Sequence, residues 1–526
     1  MEEGKRKGKA VVVGGSIAGI SCAHALIGAG WEVVVLEKTS VPPTGSPTGA
    51  GLGLDPLARK LIESWLPQPD LLHQSTLPLT IDEHKATDAE KKISWKLTRD
   101  EDFNFRAAYW ADLYSLLYNA LPQSIVFWGH SFLSFSLSDN KSRVSVKTNV
   151  LSTGDTISIV GDLLVAADGC LSSIRQSFLP DFKLRYSGYC AWRGVLDFSN
   201  NESSEAIIGL KAAYPDLGRC LYIHLGSRTH SAFNELSNKR INWIWYINHP
   251  EPELKGSSVT MKVSDDMVKK MHEEAEKVWP REFARLIRET KDPFINVIYD
   301  ADPLEKIFWD NVVLVGDAAH PTTPHGLRST NMSVLDAAVL GKCLEKWGLE
   351  NLTSALEEYQ CVRLPVASEQ VLHSRRLGRI KQGLPLPDCH AFDPINATAD
   401  ECEELQLKKI PYFSDLACAV VLLCMVAVAP YAEAGVSCST VYGDLMPCLG
   451  YIMGSGKQVP AACCSGINSL YNAAATTADR QAVCSCIKSA AKGVSLDVNR
   501  AAGVLSKCGV SVSYKISADM DCSKVE

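Results

Sequence analysis

The chain has 526 residues, of which 46% are hydrophobic, and a formal net charge of −7. That length corresponds to about three domain-sized units, the apolar share is ordinary for globular protein, and the acidic balance argues against nucleic acid as a partner. Composition is uneven along the chain: all 11 Trp and all 14 Phe precede Ala434, whereas the 92 residues after it hold eight of the 18 Cys and eight Lys/Arg against six Asp/Glu.

Lys9–Val13 reads as a buried parallel strand, because Ala10, Val11, Val12 and Val13 are apolar without alternation. Gly14-Gly15-Ser16-Ile17-Ala18-Gly19 follows, then a helical run to about Leu26 and a second strand, Val33–Leu36, ending at Glu37. This is a dinucleotide-binding pattern. Glycines let backbone approach a pyrophosphate, the helix start offers unpaired N–H groups, and an acidic residue about 20 positions on accepts from a ribose hydroxyl. Ser16 stands where the fingerprint has its middle glycine.

A helical run from Trp110 to Leu121 comes next, preceded by Arg106. Leu163–Ala167 is a further buried strand delivering Asp168-Gly169-Cys170-Leu171-Ser172-Ser173-Ile174-Arg175. Between Ser187 and about Ile298 the pattern changes to sheet, with the aromatic strands Tyr189–Val195 and Ile241–Ile247. Trp192, Arg193 and Trp245 are the candidates for pocket lining there. Val312–Val315 then leads into Gly316-Asp317-Ala318-Ala319-His320-Pro321, before a helix from about Thr330 to Leu344. His320 and His325 are read as hydrogen-bonded histidines of this loop rather than as proton carriers.

The three strand-end motifs, in this order, resemble the FAD-dependent aromatic-ring hydroxylases of the para-hydroxybenzoate hydroxylase type over about residues 8–380. The resemblance implies an α/β FAD-binding Rossmann-like domain with an antiparallel substrate sheet at roughly 187–298. It implies that Gly14, Gly15 and Gly19 cradle the FAD pyrophosphate, Glu37 holds the adenosine ribose, and the Asp168-Gly169 turn serves FAD and NADPH. Gly316 and Asp317 would meet the ribityl chain and Pro321 the flavin ring, with Gly49–Gly53 as the flavin-approach loop. An arginine contacting FAD is usual near the Trp110 helix, but Trp110 occupies that place and Arg106 is the nearest arginine. The implied activity is a monooxygenase using NADPH or NADH, O₂ and a small organic substrate; the alternative is an FAD-dependent dehydrogenase or reductase. No catalytic acid or base is singled out.

Residues 381–415 read as a linker, since Gly383, Pro385 and Pro387 break helix. Leu416–Ala434 is an apolar run with Lys408 and Lys409 ahead of it and Ala432-Glu433-Ala434 at its end. A basic flank, a short apolar core and an A-x-A site make a secretory signal peptide. The run is too short for a stable membrane span. Its place behind a complete-looking domain suggests two proteins joined in one reading frame.

The final segment, 435–526, places Cys438, Cys448, Cys463, Cys464, Cys484, Cys486, Cys508 and Cys522 in a disulfide-framework pattern. Zinc is excluded as the organiser, because the segment has no His and no CxxC pair. Val441, Leu445, Leu449 and Ile452 recur at helical spacing, Thr476–Asp479 resembles a capping box, and Val498, Ala501, Ala502 and Leu505 mark another helix. The side chains between the cysteines are small, which suits either an apolar hole among four stapled helices or a tightly packed Ala-rich core. Gly454–Lys457 is no P-loop, because Gln458 stands where Ser or Thr is required.

Cysteine spacing, Cys484-Ser485-Cys486 and Cys508-Gly509-Val510 make this segment similar to plant type 1 non-specific lipid-transfer proteins. That resemblance implies an all-α four-helix domain with pairs Cys438–Cys486, Cys448–Cys463, Cys464–Cys508 and Cys484–Cys522. It implies a tunnel for fatty acids or phospholipids, with Arg480 and Tyr514 near the headgroup. The alternative is a helical protease or amylase inhibitor. Lacking an N-terminal signal, the first part is expected in the cytoplasm; the last part is expected outside the cell after cleavage behind Ala434.

Overall fold

The computed structural model describes residues 6–43, 50–254, 258–261, 263–388, 390–406, 441, 444–452, 458–491, 498–510, 522 and 525. The chain divides into two compact units: Met1–Gly341 with Ala367–Pro411, and Lys342–Val366 with Tyr412–Glu526.

The first unit is organised by a six-stranded sheet in the order Phe308–Trp309, Val312–Leu314, Leu163–Ala166, Lys9–Val13, Glu32–Glu37, Val126–Trp128. All pairs are parallel except the edge pair Phe308–Trp309 with Val312–Leu314. The inner strands are buried over nearly their whole length, which is why they are runs of Val, Leu and Ala without polar alternation. The helix Ile17–Gly28 crosses between the first two of them in sequence. It lies close because Gly19 has no side chain: a Cβ there would stand 1.8 Å from the Gly14 carbonyl oxygen.

The second sheet has eight strands, in the order Thr260–Met261, Phe294–Asp300, Arg185–Asp197, Arg240–Asn248, Thr229–Leu236, Cys220–Gly226, Ile81–Asp88, Ile93–Asp100. It is wider than the 187–298 segment, because Ile81–Asp88 and Ile93–Asp100 come from well upstream. It also departs from pure antiparallel pairing, since Ile81–Asp88 joins Cys220–Gly226 in parallel. Pairing at such sequence distance leaves no local signature.

Alternation separates its two faces. Cys190, Trp192, Phe233, Ile241, Trp243 and Trp245 belong to one buried cluster with Trp279, Phe283 and Ile287. These last three sit on or beside the helices Asp265–Val278 and Arg281–Glu289. Tyr189, Ala191 and Tyr246 gather on the opposite face. Register places Trp192 directly across from Trp245 and Arg193 from Ile244. Gly194 makes room for the Trp243 indole, as a Cβ would meet that ring at 2.7 Å. The indole Nε1–H donates to Thr290 Oγ1 at 2.8 Å. Losing a fully buried Trp of this kind costs about 3–5 kcal/mol.

In the second unit the described helices include Ala461–Ala473, Thr477–Ala491 and Val498–Lys507. Asp479 Oδ2 accepts from the Thr476 backbone N–H at 3.1 Å, and Thr476 Oγ1 accepts from the Asp479 N–H at 3.1 Å. That is a capping box with Asp in the acidic place. Cys448, Tyr451, Cys463, Ile467, Val504 and Val510 form a small core. Among the described residues no helix is long and apolar enough to cross a membrane. Leu416–Ala434 lies outside the described residues.

Candidate functional sites

Three turns meet at the carboxyl ends of three adjacent parallel strands in the first unit. Val13 leads into Gly14, Ala166 into Asp168, and Leu314 into Gly316. This is where open α/β sheets bind their ligands.

Gly14 has φ +102°, and a Cβ there would approach the Ala167 carbonyl oxygen to 2.2 Å. Ser16 caps the following helix without a side-chain bond to it, so the N–H groups of the first turn face outward for an anion. Glu37 Oε2 accepts from Gly15 N–H at 2.7 Å and Oε1 from Thr39 N–H at 2.9 Å. The carboxylate is thus fixed beside the glycine turn.

Asp168 Oδ2 accepts from Ile174 N–H at 3.2 Å, while its buried Oδ1 has no protein partner. Gly169 has φ +81° with open space where a Cβ would point. Arg175, the last residue of this motif, is buried and donates to the carbonyls of Ala318 at 2.9 Å and Asp317 at 3.2 Å. It also donates to Cys170 O. One guanidinium therefore ties the second turn to the third. The motif includes Arg175, but nothing in its sequence marks this role.

Gly316 has φ +58°, and a Cβ would meet Ser333 Oγ at 2.8 Å. Its N–H donates to Asp336 Oδ2 at 2.8 Å, and the same oxygen lies 2.5 Å from His320 Nε2. His320 is accordingly a loop-holding histidine. Asp317 accepts from the Ser329 hydroxyl at 2.8 Å; burial raises its carboxyl pKa, with the Ser329 bond acting against that. Pro321 is buried, and its carbonyl accepts from Ala301 N–H at 3.2 Å.

A cavity of about 270 Å³ opens against Asp317. Its walls include Gly51–Gly53, Cys170, Arg193, Tyr299, Pro324 and Leu327. The Arg193 guanidinium makes only long bonds to neutral acceptors, 3.4 Å to Asn296 Oδ1 and 3.4 Å to Gly51 O, and its Nε has no partner. Trp192 and Trp245 do not line this space; the pleat turns both into the core on the other face. Arg106 does not reach it either. Its guanidinium binds Thr76 Oγ1, Thr76 O and His73 O at 2.7–2.9 Å, since its strand pairs with Thr76–Leu79.

The loop before the helix Ser329–Trp347 is held to the strand Gly51–Leu54. Asn331 Nδ2 donates to Gly53 O at 2.9 Å and Asn331 Oδ1 accepts from Asp55 N–H at 3.1 Å. Arg328 pairs with Asp55 at 3.2 Å. Leu327 takes φ +58° beside them. These contacts span more than 270 positions, and nothing local in the sequence marks them.

In the second unit three bridges are in place: Cys448–Cys463, Cys464–Cys508 and Cys484–Cys522. Cys486 is also disulfide-bonded, and Cys438 lies outside the described residues, as does Tyr514. Arg480 donates to the carbonyls of Ala474 and Ala475 at 3.3 Å each, beyond the end of the helix Ala461–Ala473, and its Nε has no partner.

Solved structures share the fold of the first unit. HpxO of Klebsiella pneumoniae, complexed with FAD and uric acid, superposes with a TM-score of 0.58 at 20% identity, over 76% of this chain and 92% of that one. The 2,6-dihydroxypyridine-3-hydroxylase of Arthrobacter nicotinovorans gives 0.61 at 21%, over 74% and 97%. A salicylate hydroxylase substrate complex gives 0.58 at 19%, over 76% and 98%. The first unit therefore has the FAD-dependent hydroxylase and monooxygenase fold. A model described as the protease inhibitor/seed storage/LTP family matches residues 438–522. Non-specific lipid-transfer protein 2 of Lens culinaris is 48% identical over 112 residues, 21% of this chain and 94% of that protein. Non-specific lipid-transfer protein 4.1 of Hordeum vulgare is 51% identical over 112 residues, again 21% and 94%. Through this C-terminal segment the chain belongs to the non-specific lipid-transfer protein family.

Proposed function

We propose that the chain joins an FAD- and NAD(P)H-dependent monooxygenase to a carrier of acyl lipids. For the first unit, the observation that supports this is the meeting of three strand-end turns beside one cavity. FAD suits these residues. Gly14, Gly15 and Gly19 let strand, turn and helix close tightly where a pyrophosphate would sit, Glu37 is poised for a ribose, and Asp168 Oδ1, with no partner among the described residues, suits a donor. Gly169, Gly316, Asp317 and Pro321 would complete the cradle around the ribityl chain and ring. Held there, FAD would supply the capacity to take hydride from NADPH or NADH and to activate O₂. The chain's own residues orient and enclose: Arg175 fixes the second turn to the third, Asp336 holds the third turn to its own helix, and Leu327 and the Gly51–Gly53 strand wall off the cavity. A small organic substrate would lie against Arg193.

For the second unit the carrier reading draws on its relatives' name and on its bridged helices, with Arg480 and Tyr514 at the headgroup and Cys438–Cys486 as the fourth bridge. We assign residues 1–380 to the flavin part, 381–415 to a connecting segment whose first residues, Lys381 and Gln382, still pack within the first unit, 416–434 to a leader and 435–526 to the carrier. A 112-residue match cannot fit within the 92 residues after Ala434, so part of it lies at or before that position. The relatives thus have counterparts to the apolar run, which supports its role as a secretion leader and an origin of the chain as two joined coding units. On this reading the first part works in the cytoplasm and the carrier outside the cell.

The purified full-length chain is expected to be yellow, to oxidise NADPH or NADH with O₂, and to place one oxygen atom from labelled O₂ in its product. Reductant oxidation without O₂, giving unlabelled product, would establish a dehydrogenase instead. The oxidised chain is expected to displace a fluorescent fatty acid; failure to bind one would overturn the carrier reading.

A further inference from the structure

Lys381 closes the long helix Leu352–Lys381, and only 4% of it is exposed. It lines a second cavity in the first unit, of about 70 Å³. Gly51, Leu52, Gly53, Ile244, Pro324 and Leu327 line both this cavity and the larger one. The two spaces therefore share a wall of strand and loop.

Among the lining residues Lys381 is the sole charged group. Its ammonium makes no hydrogen bond or ion pair among the described residues. Asp82, 1% exposed, attracts it electrostatically, and Asp82 itself lies 3.7 Å from His84 Nδ1. Burial lowers the Lys381 pKa to about 8, and the attraction of Asp82 acts against that shift.

The neighbouring histidines do not share this charge. Gln382 Nε2 donates to Arg228 O at 3.4 Å, which turns its Oε1 toward His230 Nδ1–H at 2.6 Å. His230 Nε2 is then the acceptor for His325 Nε2–H at 2.9 Å. His325 Nδ1 in turn faces the hydroxyls of Thr323 at 3.2 Å and Tyr189 at 3.5 Å. Burial holds His84, His230 and His325 well below the usual histidine value, and the charge of Lys381 lowers all three further. The N–H groups of His230 and His325 are engaged, so the cationic donors lining the cavity are those of the ammonium, with the neutral Tyr246, Asn234 and Asn242 beside them.

An ammonium carries three donors and no acceptor. Set among Leu79, Leu221 and Ile223, its field is weakly screened, and its unmet donors favour any oxygen that brings negative charge. We propose that this cavity receives an acidic oxygen of the organic substrate, a carboxylate or an ionised phenol or enol, and that Lys381 selects it. The inference rests on reading the first unit as a flavin enzyme.

The test uses the full-length chain reconstituted with FAD and follows the visible flavin band during titration. One arm compares benzoate with benzamide; the other compares 4-cyanophenol with its methyl ether. The wild-type chain is expected to bind at least one acidic member about ten- to a hundred-fold tighter than its neutral twin, the worth of a charge-assisted hydrogen bond. Lys381→Met should abolish the preference and Lys381→Arg should retain part of it. The arm showing the preference identifies the oxygen type. Circular dichroism establishes folding; should the Met variant not fold, Lys381→Gln is read the same way. A yellow chain without acid preference, or a Met variant that keeps the preference, overturns this proposal alone. A chain that takes up no flavin overturns the functional reading with it.

Discussion

Replacing Gly14 with Ala adds one methyl group at the point where the first strand turns into its helix. Two separable effects follow. A non-glycine residue at φ +102° carries about 1–3 kcal/mol of backbone strain. The new Cβ would also stand 2.2 Å from the Ala167 carbonyl oxygen, so something must move. Ala167 is held in turn by its N–H to Val13 O at 2.8 Å, and overpacking in such a place costs about 1–3 kcal/mol more. Gly154 isolates the first effect, because it has φ +78° and nothing within 4 Å of where a Cβ would stand. Gly169 does so within the site itself, with φ +81° and equally open space. Gly154→Ala should therefore lower stability by strain alone and leave FAD content unchanged. Gly14→Ala should lose a further ~1–3 kcal/mol of stability and, because the turn at the pyrophosphate position must shift, retain less FAD than Gly154→Ala. Flavin absorbance after dialysis and melting curves with and without excess FAD would measure both quantities. If Gly14→Ala matches Gly154→Ala in melting temperature and in FAD retention, the close packing of strand against turn is not what shapes the cradle.

Arg175→Met should leave three carbonyls without their donor, at about 1–3 kcal/mol for each one that stays buried and unsatisfied, and should release flavin before it unfolds the unit; equal loss of both would refute a positioning role. Trp192→Phe is expected to lower the melting temperature without altering turnover, whereas Arg193→Met should reduce turnover with little change in melting, since alternation points the two side chains to opposite faces. The reverse pattern would mean that the strand register is wrong. Burial lowers the His224 pKa to about 3, below its unfolded value near 6.5. The folded state then binds fewer protons between those pH values, and stability falls as pH drops from about 6.5 toward 3. The loss from this residue is about 2 kcal/mol between pH 7 and 5, and His224→Gln should flatten the profile in denaturant titrations. Reduction with dithiothreitol should melt the bridged helices after Ala434, each native bridge contributing about 2–4 kcal/mol, while the first unit, whose described cysteines are free thiols, keeps its flavin; unaltered helical dichroism and lipid binding after reduction would contradict this.

Much of the site was legible in sequence because it is built from local signals. The turns at Gly14, Asp168 and Gly316 each follow a short apolar strand, and glycine at a positive φ is written into the residue type itself. The capping box at Thr476 and the cysteine pattern are likewise readable, as each depends on spacing over a few residues or on covalent chemistry. What only the tertiary structure decided was the company these residues keep. Arg193 and Trp192 are neighbours in sequence, and only the register with Ile244 and Trp245 sends one to the cavity and the other to the core. Arg175 holds two turns together across a long stretch of chain, Ile81–Asp88 joins a sheet from well upstream, and Lys381 meets the field of Asp82 from the far end of the unit. Local sequence determines backbone conformation through sterics and periodicity. Which buried charges face one another is set by long-range pairing, whose loops carry no mark of where their ends will meet.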